Sequence, residues 1–220
     1  MAKGFNDTNG AAKKGGEYYK WIDGDQTIRL VGDIVPRYVY WKKTAEGKNM
    51  SVECLAFDRD LEKFTNIEKD WFQAAFPEQK CSWAYVARGL VKDDQGNYKA
   101  ILIPMKKKLY QSIQEAAKDL GDPTNTVTGW DAIINRAKTG SQAFNVEYTL
   151  KALKCKVREL SDEEKEVVAE MPPIDEQVPR QTPAEQKEFI DKMFLGGTST
   201  TENTETDEEA INELDDDAPF

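Results

Sequence analysis

The fold class is decided by residues 81–104, which read CSWAYVARGLVKDDQGNYKAILIP. Residues 81–91 and 98–104 are two runs rich in branched and aromatic side chains, and the polar loop 93–97 lies between them with Gly96 near its end. Such runs joined by a short glycine-containing loop are typical of an antiparallel hairpin. We therefore predict a β-rich fold organised around this hairpin.

The segments before the hairpin add three strands and one helical region. Short branched runs at 27–35, 37–43 and 51–57 predict strands, and Pro36 separates the first two. Between residues 59 and 76, apolar side chains recur at spacings of three and four and stop before Pro77. This periodicity predicts a helical insertion.

The segments after the hairpin complete the domain. An apolar stripe from Leu109 to Leu120 predicts a helix that ends at Gly121-Asp122-Pro123. Residues 128–136 and 144–153 predict two more strands. Short strands with one helix between strand pairs favour a mainly β fold with accessory helices, specifically a small Greek-key barrel of the oligonucleotide-binding type, the OB-fold.

Two helix-start signals follow the barrel. Ser161 and Glu164 have the spacing of a capping box and begin a short acidic helix that ends at 171–173. Thr182 and Glu185 repeat this signal. The second helix carries an apolar face made of Phe189, Ile190, Met193 and Phe194. We expect that face to pack back on the body, and the alternative is a helix that binds a partner.

These patterns divide the chain into four parts. They are a flexible basic arm at 1–18, an OB-fold core at 19–158 with the insertion at 59–76, an acidic linker with short helices at 159–197, and a disordered acidic tail at 198–220. The arm and the tail contain too little apolar surface to fold alone.

Charge is distributed unevenly between the body and the tail. The formal net charge of the whole chain is −10. Residues 1–158 hold 26 Lys and Arg against 20 Asp and Glu, a net of +6, whereas residues 159–220 hold 4 against 20, a net of −16. A basic body followed by an acidic tail suits a polyanion binder whose tail can compete for its own groove.

Several kinds of enzyme are excluded by what the sequence lacks. It has no histidine, which removes histidine bases, histidine-activated nucleophiles and the usual zinc ligand sets. It also has no glycine-rich loop of the kind that cradles nucleotide phosphates. Asp58, Asp60 and Glu62 could hold magnesium for a nuclease, but at a helix start they are typical of a solvated face. We predict a non-catalytic protein that uses no metal or cofactor.

The three cysteines and the lack of a long apolar run indicate the compartment. Cys54, Cys81 and Cys155 cannot all pair with one another, which fits a reducing environment. No stretch approaches the roughly 20 apolar residues that a membrane span needs. We expect a soluble protein of the cytoplasm, that of the host bacterium if the chain is phage-encoded.

Aromatic and basic residues are interleaved in the predicted strands. Single-stranded nucleic acid binds where cations meet the phosphates and flat rings meet the bases, and each stacked base contributes about 1–3 kcal/mol. The candidate stacking rings are Tyr38, Tyr40, Trp83, Tyr85, Tyr98 and Tyr110. The candidate phosphate contacts are Arg37, Lys42, Lys43, Arg88, Lys99, Lys106, Lys107, Lys108, Arg136 and Lys138.

The triple lysine at 106–108 is the sharpest of these signals, because three consecutive cations at a strand end repel one another unless a polyanion is near. The alternative for the rings is structural, since aromatic side chains in strands usually belong to the core. We expect a core position for Trp41, for Phe57 and for one of Trp83 or Tyr85.

Five motifs carry a resemblance to a known family. They are IRL (28–30), SWAYV (82–86), MKKKLYQSI (105–113), Gly-Asp-Pro (121–123) and GWDAII (129–134). In this order they resemble the helix-destabilising single-stranded DNA-binding proteins of T-even-like phages, over about residues 19–153. The resemblance implies an OB-fold barrel, an acidic tail that recruits replication enzymes, and a basic arm, here with Lys3, Lys13 and Lys14, for cooperative protein–protein contact.

The chain departs from that family in two places. Members with a zinc subdomain have a Cys/His cluster before the Trp-Ala strand, whereas this chain has only Cys54 and Cys81 there, so we expect no metal site. The tail ends in Asp215, Asp216, Asp217, Ala218, Pro219 and Phe220. That ending resembles the Asp-Asp-Asp-Ile-Pro-Phe tip with which bacterial single-stranded DNA-binding proteins dock on partners.

These features favour a non-catalytic, largely sequence-independent single-stranded DNA-binding protein. It would coat exposed strands in phage DNA replication, recombination and repair, associate with itself on DNA, and recruit phage or host enzymes through its acidic tip. The sequence leaves three alternatives open: an acidic DNA mimic that inhibits a DNA-binding enzyme, a single-stranded RNA-binding protein, and a metal-dependent nuclease.

Overall fold

The computed structural model describes residues 16–141 and 145–195. The strands in these ranges are β1 (Gly24–Lys43), β2 (Asn49–Glu53), β3 (Phe57–Asp58), β4 (Lys63–Phe64), β5 (Ser82–Lys92), β6 (Tyr98–Met105), β7 (Trp130–Lys138), β8 (Val146–Leu150) and β9 (Lys156–Val157). The helices are α1 (Trp71–Ala75), α2 (Lys107–Leu120), α3 (Asp162–Ala169), α4 (Ile174–Gln177) and α5 (Pro183–Met193), with a 3-10 turn at Ala152–Lys154.

The hairpin predicted from residues 81–104 is confirmed. β5 and β6 pair antiparallel from Tyr85 opposite Met105 to Lys92 opposite Tyr98. Gly96 closes the loop with a φ of +88°, in the left-handed region that glycine adopts without strain. This hairpin supplies two neighbouring strands of the main sheet.

The two strands predicted on either side of Pro36 are a single strand, β1, of 20 residues. At Pro36, β5 is the only described strand that pairs with β1, and the paired residue is Tyr85. The other edge of β1 has no described partner strand at this point, and a strand tolerates proline beside such an unpaired edge. The irregularity lies earlier, between Val31 and Ile34, where the register with β5 shifts and Gly32 has a φ of +63°. A bulge here bends the strand. The first half of β1 also pairs with β7 and its end with β2, while β5 pairs with β1 on both sides of the bulge.

The main sheet is antiparallel throughout and follows the order β6-β5-β1-β7-β8. β2 pairs with the end of β1, and β9 pairs with the start of β7. A mainly β fold with accessory helices is therefore confirmed. Among the described residues the pairing forms an open path from β6 to β8, so closure into the predicted OB-fold barrel stays a prediction.

One face of the sheet holds the largest hydrophobic core, and α2 covers it. Leu109 and Ile113 of α2 pack with Ile28, Ile103 and other fully buried side chains. The helix ends at Gly121, whose φ is +81°. The predicted helix and its end are confirmed, and β8, Val146–Leu150, is shorter than the strand predicted at 144–153.

The helical insertion predicted for residues 59–76 is largely wrong. Phe57 pairs with Phe64 in a short hairpin, β3–β4, and the carboxylate of Asp58 accepts the backbone N–H groups of the turn. Leu61 and Ile67, which contributed to the helical periodicity, are 56% and 79% exposed. The apolar spacing was therefore accidental, and only Trp71–Ala75 is helical.

Both predicted capping boxes are present, at Ser161 with Glu164 and at Thr182 with Glu185. The first predicted helix, α3, is tied to the body because the guanidinium of Arg158 donates to Glu164 at 2.6 Å and to Asp131 at 2.7 Å. The predicted acidic linker is thus ordered against the sheet over this helix.

The apolar face of α5 packs back on the body, as expected from the sequence. Ile190 is 2% exposed, and Phe194 lies edge-on to Phe72 of α1 at 5.7 Å. Gln186 is fully buried and bridges two elements, because its side chain accepts the N–H of Trp71 at 2.7 Å and donates to the carbonyl of Glu53 at 2.8 Å. The alternative of a partner-binding helix does not fit this burial.

A second tie joins the segment before α5 to the β3–β4 hairpin. Arg180 donates to the carbonyl oxygens of Leu55 and Phe57 at 2.8 and 2.9 Å, and to the carboxylate of Glu68 at 2.8 Å. Arg59 of the hairpin turn donates to the carbonyl of Val178 at 2.8 Å. Hydrogen bonds donated from both sides therefore connect the β3–β4 hairpin to the segment before α5.

Some predictions concern residues outside the described ranges. These are the arm lysines Lys3, Lys13 and Lys14 and the tail residues Asp215 to Phe220. No helix within residues 16–141 and 145–195 is both long enough and apolar enough to cross a membrane.

Candidate functional site

Five aromatic rings form a continuous row, which we call the aromatic strip: Phe64, Tyr38, Trp83, Tyr85 and Tyr110. Their centroids follow one another at 4.7, 4.3, 5.4 and 3.9 Å. Sheet register explains the centre of the row, because Tyr38 of β1 lies directly opposite Trp83 of β5 and such pairs project from the same face. The strip therefore crosses four elements: β4, β1, β5 and α2.

The members of the strip differ in how much of each ring is accessible. Phe64 is 48% exposed, and Tyr38, Trp83 and Tyr110 are half-buried. Tyr85 is only 8% exposed, because Trp83 and Tyr110 lie parallel to its two sides, with interplanar angles of 2° and 15°. Tyr85 thus supports its neighbours, which are the rings that can meet a ligand.

The tyrosine hydroxyls of the strip stay protonated at neutral pH. Burial raises the pKa of Tyr85 to about 12, with further contributions from Tyr110 and from the negative charge of Glu62. Burial and Glu62 also raise the pKa of Tyr110, and burial raises that of Tyr38. The strip is therefore an uncharged surface with hydroxyl groups that can donate hydrogen bonds.

Two of the six predicted stacking residues are not part of the strip. Tyr40 is 1% exposed, stacks on Phe72 at 4.7 Å and donates to Cys54 Sγ at 3.2 Å. Because its ring is enclosed, the structure does not support the prediction that Tyr40 stacks on bases.

Tyr98 lies on the other face of the sheet. It is opposite Lys92 in the β5–β6 register, whereas Met105 is opposite Tyr85. Since side chains alternate between faces, the odd positions 83 and 85 of β5 share a face that position 92 does not. The strip and Tyr98 are also about 20–30 Å apart along β5 at about 3.3 Å per residue, which places Tyr98 outside the candidate site.

The triple lysine lies at one end of the strip. Met105 pairs with Tyr85, and Lys106, Lys107 and Lys108 follow it directly. The expectation that they close a strand is only partly right, because Lys107 and Lys108 begin helix α2.

The three lysines differ in exposure. Lys106 is 8% exposed, Lys107 is exposed, and Lys108 is 67% exposed and pairs with Glu147 at 2.6 Å. Lys106 and Lys108 line a cavity of about 190 Å³ between α2 and β8. This end of the strip therefore combines two exposed cations with a recess beside them.

The other predicted phosphate contacts are spread over the molecule. Arg37 and Arg88 lie at positions of β1 and β5 that face away from the strip, and Arg88 donates to the carbonyl of Pro172 at 3.1 Å. Lys42 lies 4.2 Å from the ring centroid of Phe76 and 3.9 Å from Glu78. The structure therefore does not gather these three residues around the strip.

The four remaining candidates are also separate from the strip. Lys99 forms an ion pair with Glu17, and Arg136 is 5% exposed and forms an ion pair with Asp23. Lys43 is exposed at the end of β1, and Lys138 is exposed at the end of β7. Of the ten predicted phosphate contacts, only Lys106, Lys107 and Lys108 follow directly on a residue paired with the strip, because Met105 lies opposite Tyr85.

One residue of the strip, Phe64, was missed by the sequence analysis. It was assigned to a helix, although Phe57 and Phe64 flank a polar segment whose Asp58 can cap a turn. Two aromatics separated by such a turn are a hairpin signal. That signal would have placed Phe64 beside the other rings.

Neither a magnesium site nor a zinc site is formed by the candidate ligands. Within the described ranges, no group of three or more Cys, Asp or Glu side chains is arranged to hold a metal ion. Asp58 is engaged in the β3–β4 turn, where it accepts two backbone N–H groups at 2.9 Å. The arrangement of rings and cations is suited to binding.

Comparison with known proteins gives one relative. The chain is 24% identical over 268 aligned positions, covering 98% of this chain and all of the relative, to a protein of Escherichia phage T5 described as "Probable ssDNA-binding protein". No family model matches the chain, and no solved structure matches it significantly.

Proposed function

We propose that this chain is a non-catalytic, largely sequence-independent single-stranded DNA-binding protein that coats exposed strands in phage DNA replication, recombination and repair. The observation that carries the proposal is the aromatic strip with Lys106, Lys107 and Lys108 at its end. Rings in a row can stack successive bases, and adjacent cations can follow the phosphates. The full-length similarity to the phage T5 protein supports the same ligand.

In this proposal the accessible rings Tyr38, Trp83 and Tyr110 meet the bases, and Phe64 extends the row. Lys107 and Lys108 contact phosphates. Stacking is tolerant of sequence because every base has a π face. The affinity should therefore depend on strandedness more than on sequence.

Titrating fluorescently labelled oligo-dT and a duplex of equal length, at several salt concentrations, tests the proposal. We expect tight binding of oligo-dT, much weaker binding of duplex, and a linear fall of log affinity with log salt, with a slope of about 0.7 for each phosphate contacted. A parallel titration with oligo-U, compared with that of oligo-dT, shows whether DNA or RNA is the preferred ligand. Equal affinity for duplex, or no binding of any oligonucleotide, would refute the proposal.

The tail is proposed to regulate and to recruit. Residues 198–220 carry nine acidic and no basic side chains. An acidic segment tethered to a cationic groove competes with DNA for it, and DNA then frees the segment for partners. Asp215 to Phe220 would dock on replication enzymes of the phage or its host, and the arm with Lys3, Lys13 and Lys14 would join neighbouring copies on DNA.

Deleting residues 198–220 is expected to raise the affinity for oligo-dT at low salt by about three- to tenfold, because the competing negative charge is gone. The gain should disappear at high salt, where such attraction is screened. The measurement is a fluorescence anisotropy titration of the full and shortened chains at two salt concentrations. Deleting only residues 215–220 is the control and should give a smaller gain; unchanged affinity in both variants would exclude competition.

A further inference from the structure

The recess between the first turn of α2 and strand β8 combines charged and apolar side chains. Its volume is about 190 Å³, and two of the side chains that line it, Leu109 and Val146, are buried and apolar. Lys106, Lys108 and Glu147 also line it and bring two positive charges and one negative charge to it. A recess of this kind is suited to a small anion, such as the phosphate group of a nucleotide.

Lys106 is the cation that the fold fixes at this recess. It is only 8% exposed, although a lysine is almost never buried to this degree. Its backbone is held between two elements, because Lys106 follows β6 directly and its carbonyl oxygen accepts the N–H of Tyr110 of α2 at 3.1 Å. A positive charge with so little water around it attracts an anion more strongly than an exposed charge does.

An internal anion already stands at the recess. The ammonium group of Lys108 on α2 donates to the carboxylate of Glu147 on β8 at 2.6 Å. This hydrogen bond and the charge of Lys108 lower the pKa of Glu147 from its ordinary value of 4.5, so the carboxylate is ionised at neutral pH. The two side chains are 67% and 47% exposed. Such an exposed ion pair is weak, and another anion can replace the carboxylate.

Helix α2 connects the recess to the aromatic strip. Tyr110, the last ring of the strip, stacks on Tyr85, and Lys106 lies one turn before it. Successive residues of a helix are about 100° apart around its axis, so Tyr110 and Lys108 project on opposite sides of the buried Leu109. A strand stacked on Tyr110 therefore reaches Lys108 by crossing the start of α2, and it brings a phosphate to the recess there.

We propose that this recess is a subsite for one backbone phosphate of the bound strand, and that Glu147 occupies Lys108 until the phosphate replaces the carboxylate. This inference rests on the proposed function. Lys106 contributes a fixed positive charge, and Lys108 exchanges one anion for another. Because binding breaks the pair between Lys108 and Glu147, part of the attraction of Lys108 for DNA is offset. Glu147 therefore lowers the affinity of the chain for DNA.

The test is a double-mutant cycle on Lys108 and Glu147, measured by fluorescence anisotropy with labelled oligo-dT at about 0.15 M salt. Glu147→Gln should raise the affinity about two- to fivefold, the range that one exposed ion pair provides. In a Lys108→Met chain the same change should give little gain, because no cation remains to be released. Lys108→Met alone should lower the affinity and reduce the slope of log affinity against log salt by about 0.7.

Glu115→Gln is the matched control. Glu115 lies on the same side of α2 as Lys108, two turns further along, is 73% exposed and pairs with Lys118. It is about 10 Å from Lys108 at 1.5 Å per residue, so its charge is largely screened at this salt concentration. Its removal should therefore change the affinity much less than Glu147→Gln does.

Two results would overturn the inference. Equal gains for Glu147→Gln and Glu115→Gln would show a general effect of negative charge. An equal gain from Glu147→Gln with and without Lys108 would show that Glu147 repels DNA without holding that lysine. A gain in affinity cannot come from a loss of folding, so the two variants remain comparable. If the unaltered chain binds no oligo-dT, the proposed function itself fails, which is a distinct result.

Discussion

Trp83→Ala is expected to weaken binding of oligo-dT by about ten- to a hundredfold, the effect of losing about one to two stacked bases. Trp83 lies at the centre of the aromatic strip, with Tyr38 at 4.3 Å on one side and Tyr85 at 5.4 Å on the other. Its removal takes away one ring that meets bases and loosens two neighbours. Fluorescence anisotropy with labelled oligo-dT measures the loss.

Tyr98→Ala is the matched control for this prediction. Tyr98 is also a half-buried aromatic of the same hairpin, but it projects from the opposite face of the sheet. Its loss should cost stability without a comparable loss of affinity. Trp83→Phe should restore much of the binding, since a flat ring is retained. Equal losses of affinity for Trp83→Ala and Tyr98→Ala would show that the strip is not the binding surface.

Glu164→Ala is expected to lower the free energy of unfolding by about 2–3 kcal/mol, because Arg158 and the N–H of Ser161 lose the carboxylate that accepts their hydrogen bonds, whereas Arg158 keeps Asp131 as a partner. Glu164 is fully buried, accepts two hydrogen bonds of 2.6 Å from Arg158, and accepts the N–H of Ser161 at 2.8 Å. Chemical denaturation of both chains measures the difference. Glu163→Ala, in the exposed position beside it, should change stability little. A similar loss for both variants would contradict the prediction.

The same pair gives a pH dependence whose sign follows from the pKa of Glu164. Burial alone would raise that pKa, but the hydrogen bonds and the charge of Arg158 outweigh burial and lower it to about 2, from an ordinary value of 4.5. Because the folded value is the lower one, the stabilisation is complete above about pH 4.5 and is lost as the pH falls toward 2. The difference in unfolding free energy between the unaltered chain and Glu164→Gln should therefore shrink over this range.

Local patterns were sufficient to predict much of the fold. The β5–β6 hairpin, helix α2 and both capping boxes depend on neighbours within a few residues, so the sequence carries them directly. Pro36 misled the strand assignment because a strand tolerates proline where the proline nitrogen faces an edge without a partner strand, and whether a partner lies there is a tertiary property.

The site was harder to predict than the fold, because distant segments decide which rings are accessible. Tyr40 has the same alternation as Tyr38 but is covered by α1 and α5, and the apolar residue Ile190 of α5 lies 150 positions later in the chain. Tyr98 was predicted to stack on bases, but the face from which it projects depends on the register with β5, which local sequence does not give. Phe64 contacts Tyr38 because it lies in the β3–β4 hairpin, whereas the sequence predicted a helix at this position.

The bonds between Arg180 and the β3–β4 hairpin have a practical consequence for the rigidity of the strip. Phe64 pairs with Phe57, whose carbonyl oxygen accepts a hydrogen bond from Arg180, and Arg180 lies three residues before the start of helix α5. We therefore expect local opening of the hairpin to be coupled to undocking of α5, which hydrogen exchange of the two segments would measure. A shortened chain meant to represent the isolated binding body must retain residues up to 195, because cutting before Arg180 would release Phe64 from the other rings.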